Sequence, residues 1–200
     1  MKVAETLERA LSIQREIWDA IVGELTVTDT RQPILLEYLG VALEHHEAII
    51  VLVRNDLRGS ALSLVRSVFE ILYRSAWVCT CAKPEHIEKI VKDKFDFPQM
   101  AKMVSEIDAA IGGAFFKEFK KLSWKQQNQF VHTGHLQRIG RISREDLQSP
   151  YPDEGIILQV NITTQALLLV AIFVLKAIGR VPKAERLERF MLTFGSAAQS

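Results

Sequence analysis

ALSLVRSVFEILYRSAWVCTCA, residues 61–82, is the stretch that decides the fold class of this 200-residue chain. Most of its positions are apolar or aromatic, and the charged interruptions at Arg66, Glu70 and Arg74 are four residues apart. Residues at this spacing share one face of an α-helix, so the stretch predicts a long helix with one polar stripe on an apolar surface. A helix with so much apolar surface is expected in the middle of a helical bundle.

Helical patterns precede this stretch. Apolar residues recur at intervals of three, four and seven over 2–25, which predicts an amphipathic first helix. Pro33, suited to a first helical turn, opens a second long helix that continues to about Arg54. Gly59 and Ser60 then predict a stop, followed by the N-cap of the third helix.

Shorter helices and one further long helix follow. Residues from about 84 to 122 show a series of short helical patterns separated by proline and glycine. A helix of about 25 residues is predicted from Asp153 to Ile178, where Gly179 and Pro182 stop it, and a short helix follows. The simplest account is one all-α domain over the whole chain, a bundle of four long helices with the short helices as an insertion.

The composition excludes an intrinsically disordered protein, because 48% of the residues are apolar and only 24% are charged. The cysteines, Cys79 and Cys81, are separated by one residue on the predicted third helix, so their side chains point apart and are poorly placed to form a disulfide. Charged residues near the start interrupt any apolar core of a secretory signal. We therefore expect a cytoplasmic protein with two reduced thiols.

Residues 155–175 carry no charge over 21 positions, which is long enough for a helix that crosses a membrane. The first half of this segment nevertheless contains polar residues, among them Gln159, Asn161, Thr163 and Thr164. A globular core can offer such groups water or polar partners, whereas lipid offers neither. The sequence therefore predicts the core helix of a soluble protein and no membrane partner.

Positive charge is concentrated between Lys117 and Arg144. This window has seven basic residues and one acid, a charge of +6, whereas the whole chain carries +1 and the remainder therefore −5. It contains QFVHTGHLQRIGR at 129–141, which places two of the five histidines three residues apart. A basic window with histidines suits contact with a phosphate backbone, although a solvated helix face has the same composition. The candidate substrate-binding residues are Arg74, Lys125, His135, Arg138 and Arg141.

His132 is the candidate catalytic residue of an RNA-cleaving site. Histidine titrates near neutral pH, so it can act as the general base or acid when an RNA 2′-hydroxyl attacks its own phosphate. Arg66 and Arg74 would hold the phosphate if the bundle brings them to His132, and Glu70 would orient an arginine or the histidine. This chemistry needs no metal and no cofactor. Without such convergence, the stripe is an ion-pair ladder on the exposed edge of a core helix.

A metal or small-ligand site at the histidines is a further alternative. His132 and His135 share one helical face and could supply two ligands, with His45 or His46 as a third. The Glu-x-x-His pairs of a di-metal bundle are absent from the sequence. A histidine on an apolar helix is more often a core residue that makes one hydrogen bond, which is the alternative interpretation of His45, His46 and His86.

Three stretches of the chain resemble one known family. They are VLVRNDLRGSALSLVRSVFEILYRSAW at 51–77, DFPQM at 96–100 and HTGHLQR at 132–138. The family they resemble is bacterial and is known only as a domain of unknown function. More distantly, the all-helical layout is similar to the HEPN superfamily. The members of that superfamily are small helical bundles that often dimerise, and they include metal-independent RNases of toxin–antitoxin and other defence systems.

The resemblance to the HEPN superfamily implies an active pair at a subunit interface, an arginine followed a few residues later by a histidine. This chain departs from the pattern, because Arg54-Asn55-Asp56 begins like the motif but no histidine follows before Pro84. A catalytic pair would have to come from separate helices, for example Arg66 and His132. Two interpretations follow. In the first, the chain is a HEPN-like protein that binds RNA or cleaves it as a metal-independent endoribonuclease. In the second, it is a non-catalytic homodimeric module that acts as an antitoxin, sensor or scaffold for a protein partner.

Overall fold

The computed structural model of the protein describes residues 2–24, 27–121 and 151–197, with side chains as far as Met191. Its helices are α1 (Val3–Ile21), α2 (Arg31–Arg54), α3 (Arg58–Thr80), α4 (Pro84–Val91), α5 (Met100–Ile111), α6 (Asp153–Ala177) and α7 (Val181–Ala197). Residues 115–121 are helical as well. No strand occurs within the described ranges, and the prediction of an all-α fold is confirmed.

α3 and α6 form the centre of the bundle. α3 packs against α2, α5 and α6, and α6 packs against α1, α2, α3 and α7. The facing side chains are fully buried, for example Phe69 and Leu72 of α3 and Leu167 and Val170 of α6. Burial of this apolar surface drives the association of the helices. The four long helices predicted from the sequence are therefore α1, α2, α3 and α6, and α5 lies on the side of α3.

The start of α3 differs from the prediction. The helix begins at Arg58, so Ser60 lies in its first turn and is not the N-cap. The Arg58 guanidinium donates hydrogen bonds to Asp56 Oδ1 at 2.8 Å and to Asp153 Oδ1 at 2.7 Å. A tertiary contact with the start of α6 thus fixes the turn between α2 and α3, and no local capping signal could indicate it.

The end of α6 agrees with the prediction at one residue and differs at another. Gly179 follows the helix with φ +78°, a left-handed conformation that glycine adopts readily and that ends helices. Pro182 does not act as a stop, because it lies in the first turn of α7. Proline is tolerated there, since the backbone N–H that it lacks has no partner within the helix.

Among the described helices, α6 is the one long and apolar enough to cross a membrane by length and composition, and 72% of its most apolar window is buried in the fold. Four polar side chains of its first half are buried too; they are Gln159, Asn161, Thr163 and Thr164. Asn161 Oδ1 accepts a hydrogen bond from Arg9 at 3.0 Å, and Thr163 Oγ1 donates one to the Gln159 carbonyl at 2.6 Å. These residues therefore pack inside the bundle, where other helices and the α6 backbone supply their partners.

His46 lies where three helices meet. Its side chain is buried, with 1% of the residue exposed. Nδ1 lies 3.0 Å from Gln14 Oε1 of α1, and Nε2 lies 3.0 Å from Thr164 Oγ1 of α6. His46 is thus a core residue, and it has two polar neighbours rather than the single one expected.

Candidate functional site

The polar stripe of α3 lies in a cleft. Arg66, Glu70 and Arg74 all line it, and its volume is about 1130 Å³. The remaining walls come from the first half of α2 and the loop before it, the end of α4, the loop at 93–98 and the start of α5. The stripe is therefore accessible to a ligand, which the sequence alone left undecided.

An aromatic cluster holds one wall of the cleft in place. The ring of Trp77 on α3 packs against His86 at 5.4 Å, Phe95 at 5.4 Å and Phe97 at 5.7 Å between centroids. Trp77 Nε1 also donates a hydrogen bond to Glu106 Oε2 of α5 at 2.6 Å. Ring packing and this hydrogen bond together fix the 93–98 loop and α5 against α3.

Replacing Trp77 with phenylalanine should lower the free energy of unfolding by about 2 kcal/mol, because the hydrogen bond to Glu106 is lost and the smaller ring leaves a void in the cluster. Trp18→Phe is the matched control, since Trp18 is 50% exposed on α1 and should change stability by less than about 0.5 kcal/mol. Urea unfolding, monitored by circular dichroism, measures the free energy of unfolding of both variants. Equal effects at the two positions would show that the hydrogen bond to Glu106 does not stabilise this wall.

Arg66 and Glu70 form an ion pair within the stripe. Arg66 Nε lies 2.8 Å from Glu70 Oε1, and the side chains are 22% and 33% exposed. Pairs of this kind on a helix surface contribute only a few tenths of a kcal/mol to stability. The pair therefore leaves the arginine partly neutralised at a position where a phosphate-binding residue would need its full charge.

Arg74 has a different environment. Its Cζ lies 5.1 Å from the centroid of the Phe97 ring, a cation–π contact, and it forms no ion pair with any residue that the structure describes. Tyr38 of α2 lies opposite, and burial raises the pKa of its hydroxyl while the charge of Arg74 partly offsets this effect. A guanidinium that contacts a ring instead of a carboxylate keeps its N–H groups available for other acceptors. Arg74 is thus prepared to donate hydrogen bonds to a ligand.

The cleft as a whole is acidic. Two arginines face five carboxylates, a formal charge of −3, and the carboxylates are Asp29, Glu37, Glu70, Asp93 and Asp96. A negative potential attracts cations and disfavours a polyanion such as the RNA backbone. The role proposed for Arg66 and Arg74 in holding phosphate stays a prediction, and the surrounding charge opposes it.

The other predicted site residues lie outside the described residues; they are His132, His135, Lys125, Arg138 and Arg141. Convergence of His132 with Arg66 therefore stays a prediction. Of the described histidines, none lines the cleft, because His46 is in the core, His86 packs on Trp77 and His45 lies elsewhere on α2. Within the described ranges, no three His, Cys, Asp or Glu side chains are grouped to hold a metal ion.

A second hollow contains the first lysines of the basic window. Lys117, Lys120 and Lys121 line it with part of α5, and its volume is about 770 Å³. Asp108 at its edge is buried and accepts hydrogen bonds from the backbone N–H groups of Phe116 and Lys117, both at 2.9 Å. The aspartate thereby caps the helix at 115–121, and three lysines remain as the charged side chains facing this hollow.

Sequence reasoning missed several residues that line the main cleft. Tyr38, Glu37, Phe97 and Asp96 are among them. The usable signal was the DFPQM segment at 96–100, which carries part of the family resemblance and lies opposite the α3 stripe. Two of the three resembling stretches thus contribute to one cleft.

Comparison with known proteins identifies a family. No curated protein and no solved structure matches the chain. A family described as a family of unknown function, DUF6988, matches residues 39–197, which include all of α3 and the DFPQM segment. With most of its length matched, the chain belongs to this family of unknown function.

Proposed function

We propose that this protein is a non-catalytic helical binding module, a sensor or scaffold that recognises a partner protein through the cleft beside α3. The observation that carries this proposal is the cleft itself, a large and open space that exposes a polar stripe of a central helix. Its lining has carboxylates, two arginines and aromatic rings, but no histidine among the described residues that could act as a base. The described part of this lining suits recognition, and it supplies no general base for metal-free RNA cleavage.

The relation to the HEPN superfamily and the homodimer belong to the same proposal. In this view the protein is a bacterial, HEPN-like bundle that has lost the arginine–histidine motif and binds instead of cutting. The all-helical architecture supports the proposal, and so does the ion pair that occupies Arg66.

Site-specific photo-crosslinking in cells tests the proposal. A photoreactive amino acid at Val91, which lines the cleft and is 66% exposed, should crosslink to one defined protein. The same amino acid at Val51, 49% exposed on α2 and outside the cleft, is the matched control and should not. Mass spectrometry identifies the products. Identical products at both positions, or none at Val91, would contradict a partner-binding cleft.

A metal-independent endoribonuclease is the second candidate, and the lysine-lined hollow favours it. Lys117, Lys120 and Lys121 are the first lysines of the basic window and offer a phosphate backbone positive charge, part of which Glu118 offsets by pairing with Lys121 at 2.7 Å. The test is incubation of wild-type, Arg66→Ala and His132→Ala proteins with total RNA and tRNA in a chelator, followed on a gel. We expect all three to leave the RNA intact. Cleavage by the wild type alone, with both variants folded, would contradict the binding-module proposal and support the nuclease.

A further inference from the structure

The main cleft is large enough to take an extended chain. Its volume of about 1130 Å³ exceeds the roughly 300–1000 Å³ of pockets that enclose small molecules. α3 forms its base, because α3 packs against α2 on one side and α5 on the other. The α2 wall and the 93–98 wall therefore face each other across α3, with open space between them.

The unpaired charges of the cleft lie on these two walls. Glu37 lies on α2, and Asp93 and Asp96 lie on the opposite loop; all three are exposed, and none forms an ion pair within the described part of the chain. The other two carboxylates are engaged, since Glu70 pairs with Arg66 and Asp29 caps the start of α2 through the Arg31 N–H at 2.9 Å. The free charge available to a ligand is therefore negative on both sides.

Arg74 and Tyr38 add neutral or positive hydrogen-bonding groups between the walls. The Arg74 Cζ lies 5.1 Å from the centroid of the Phe97 ring, and no described carboxylate forms an ion pair with the guanidinium. A ligand in this groove must bring cations to the walls and hydrogen-bond acceptors to Arg74. A polyamine has the cations but no acceptor, and an RNA strand has the acceptors but the wrong charge. A peptide with basic side chains has both, since its main-chain carbonyls accept hydrogen bonds.

We propose that the cleft binds an extended peptide segment of a partner protein that contains adjacent lysine or arginine residues. Successive side chains of an extended chain point in opposite directions, so two adjacent basic residues reach the two walls. One pairs with Glu37 and the next with Asp93 and Asp96, while a carbonyl between them accepts hydrogen bonds from Arg74. This inference rests on the proposed function, and it names the chemistry that the partner presents.

Fluorescence anisotropy with defined peptides tests the inference. The probe is a labelled ten-residue Gly/Ser peptide with two adjacent Arg-Lys pairs, and the comparison peptide has glutamate at those four positions. We expect the basic peptide to bind at least ten times more tightly than the acidic one. An oligouridylate of ten nucleotides and spermine serve as the RNA and polyamine probes, and both should bind at least ten times more weakly. Tighter binding of either one would overturn the proposal.

Variants locate the binding and exclude a nonspecific charge effect. Glu37→Gln combined with Asp96→Asn should lower the affinity for the basic peptide at least tenfold. The matched double variant, Glu44→Gln with Glu47→Gln, changes two exposed glutamates of α2 outside the cleft and should alter the affinity less than twofold. Equal losses in both double variants would overturn the proposal. Melting curves confirm that each variant is folded.

Arg74→Ala separates a peptide from a simple cation. The substitution should lower the affinity for the basic peptide several-fold, because the main-chain carbonyl of the peptide loses its donor. The affinity for spermine should stay unchanged or increase. An increase in peptide affinity would mean that Arg74 acts only as a repelling charge, which contradicts the peptide geometry. A partner that crosslinks at Val91 but that the basic peptide does not displace would refute this inference while leaving the proposed function intact.

Discussion

Acidification from pH 6.5 to pH 4 should remove about 3 kcal/mol from the free energy of unfolding through His46 alone. Burial lowers the pKa of His46 from 6.5 to about 4 in the folded protein. The unfolded chain exposes the ring and binds a proton below pH 6.5, whereas the folded chain binds one only near pH 4. The stabilisation is therefore complete above pH 6.5 and decreases as the pH falls, by about 1.4 kcal/mol for each pH unit between these values.

The neighbours of His46 can satisfy a neutral ring when the Gln14 amide is rotated. Thr164 Oγ1 donates its proton to the Val160 carbonyl at 2.8 Å, so it can only accept from the Nε2–H of His46. Nδ1 then carries the lone pair and needs a donor. Gln14 lies 3.0 Å away through its side-chain amide, and rotation of that amide by half a turn presents its N–H₂ group to Nδ1. A protonated ring would donate from Nδ1 to Gln14 Oε1 and from Nε2 to Thr164 Oγ1, so burial of the positive charge is what opposes protonation.

Urea unfolding at a series of pH values measures this effect. His46→Gln should be less stable than the wild type at pH 7, because Gln14 and Thr164 lose well-placed partners. The two stability curves should then converge below pH 6.5, since the variant has no histidine here to protonate. His45→Gln changes the neighbouring, partly exposed side chain and serves as the control, whose curve should not converge with the wild type. Parallel curves for His46→Gln and the wild type would show that His46 does not cause the loss of stability at low pH.

The helices could be predicted from the sequence because the information for them is local. The long apolar helix expected from Asp153 to Ile178 is α6, Asp153–Ala177, and the second helix was placed within two residues of its observed start. Both have proline or acidic residues near the start, which are signals within one turn. The first helix was expected to reach residue 25 but ends at Ile21. Its end depends on a contact from residues that lie more than 150 positions away in the sequence.

The candidate site was predictable only in part, for the same reason. The helical period places Arg66, Glu70 and Arg74 on one stripe, and the structure has them in one cleft. The pattern could not identify the opposite walls, because Tyr38 and Asp96 come from other elements. Counting charge along the chain emphasised 117–144, whereas the negative sign of the cleft arises when separate segments meet. The sign of a site is a tertiary property that a count of linear charge does not indicate, and the nuclease hypothesis stays a prediction.

The end of α1 is held by one arginine from the turn between α6 and α7. Arg180 Nη1 donates hydrogen bonds to the carbonyls of Ala20 at 2.9 Å, Ile21 and Val22 at 3.1 Å, and Nη2 donates to the carbonyl of Glu24 at 2.9 Å. The last carbonyls of a helix have no partner within the helix, and a cation there is favourable. Arg180 thus satisfies the end of α1 and joins it to the other end of the chain.

Replacing Arg180 with alanine should lower the free energy of unfolding by about 2 kcal/mol, because the charge-assisted bonds to the α1 carbonyls are lost together. Arg186→Ala is the matched control in the same α1–α7 contact. Arg186 pairs with Glu16 at 2.6 Å, but its side chain is 60% exposed, so the loss should be less than about 0.5 kcal/mol. Arg180→Lys should recover less than half of the loss, since one ammonium group cannot span carbonyls along a whole turn.

Urea unfolding gives these free energies, and hydrogen exchange shows where the change occurs. In Arg180→Ala, the amide of Val22, which donates to the Trp18 carbonyl at 2.9 Å, should exchange faster than in the wild type. The exchange rates of the α2 amides should change only as far as the global stability changes. A cost for Arg180→Ala no larger than that for Arg186→Ala would mean that water satisfies the α1 carbonyls equally well. If the expected difference is found, α1 ends at Ile21 because an arginine from the α6–α7 turn binds its carbonyls.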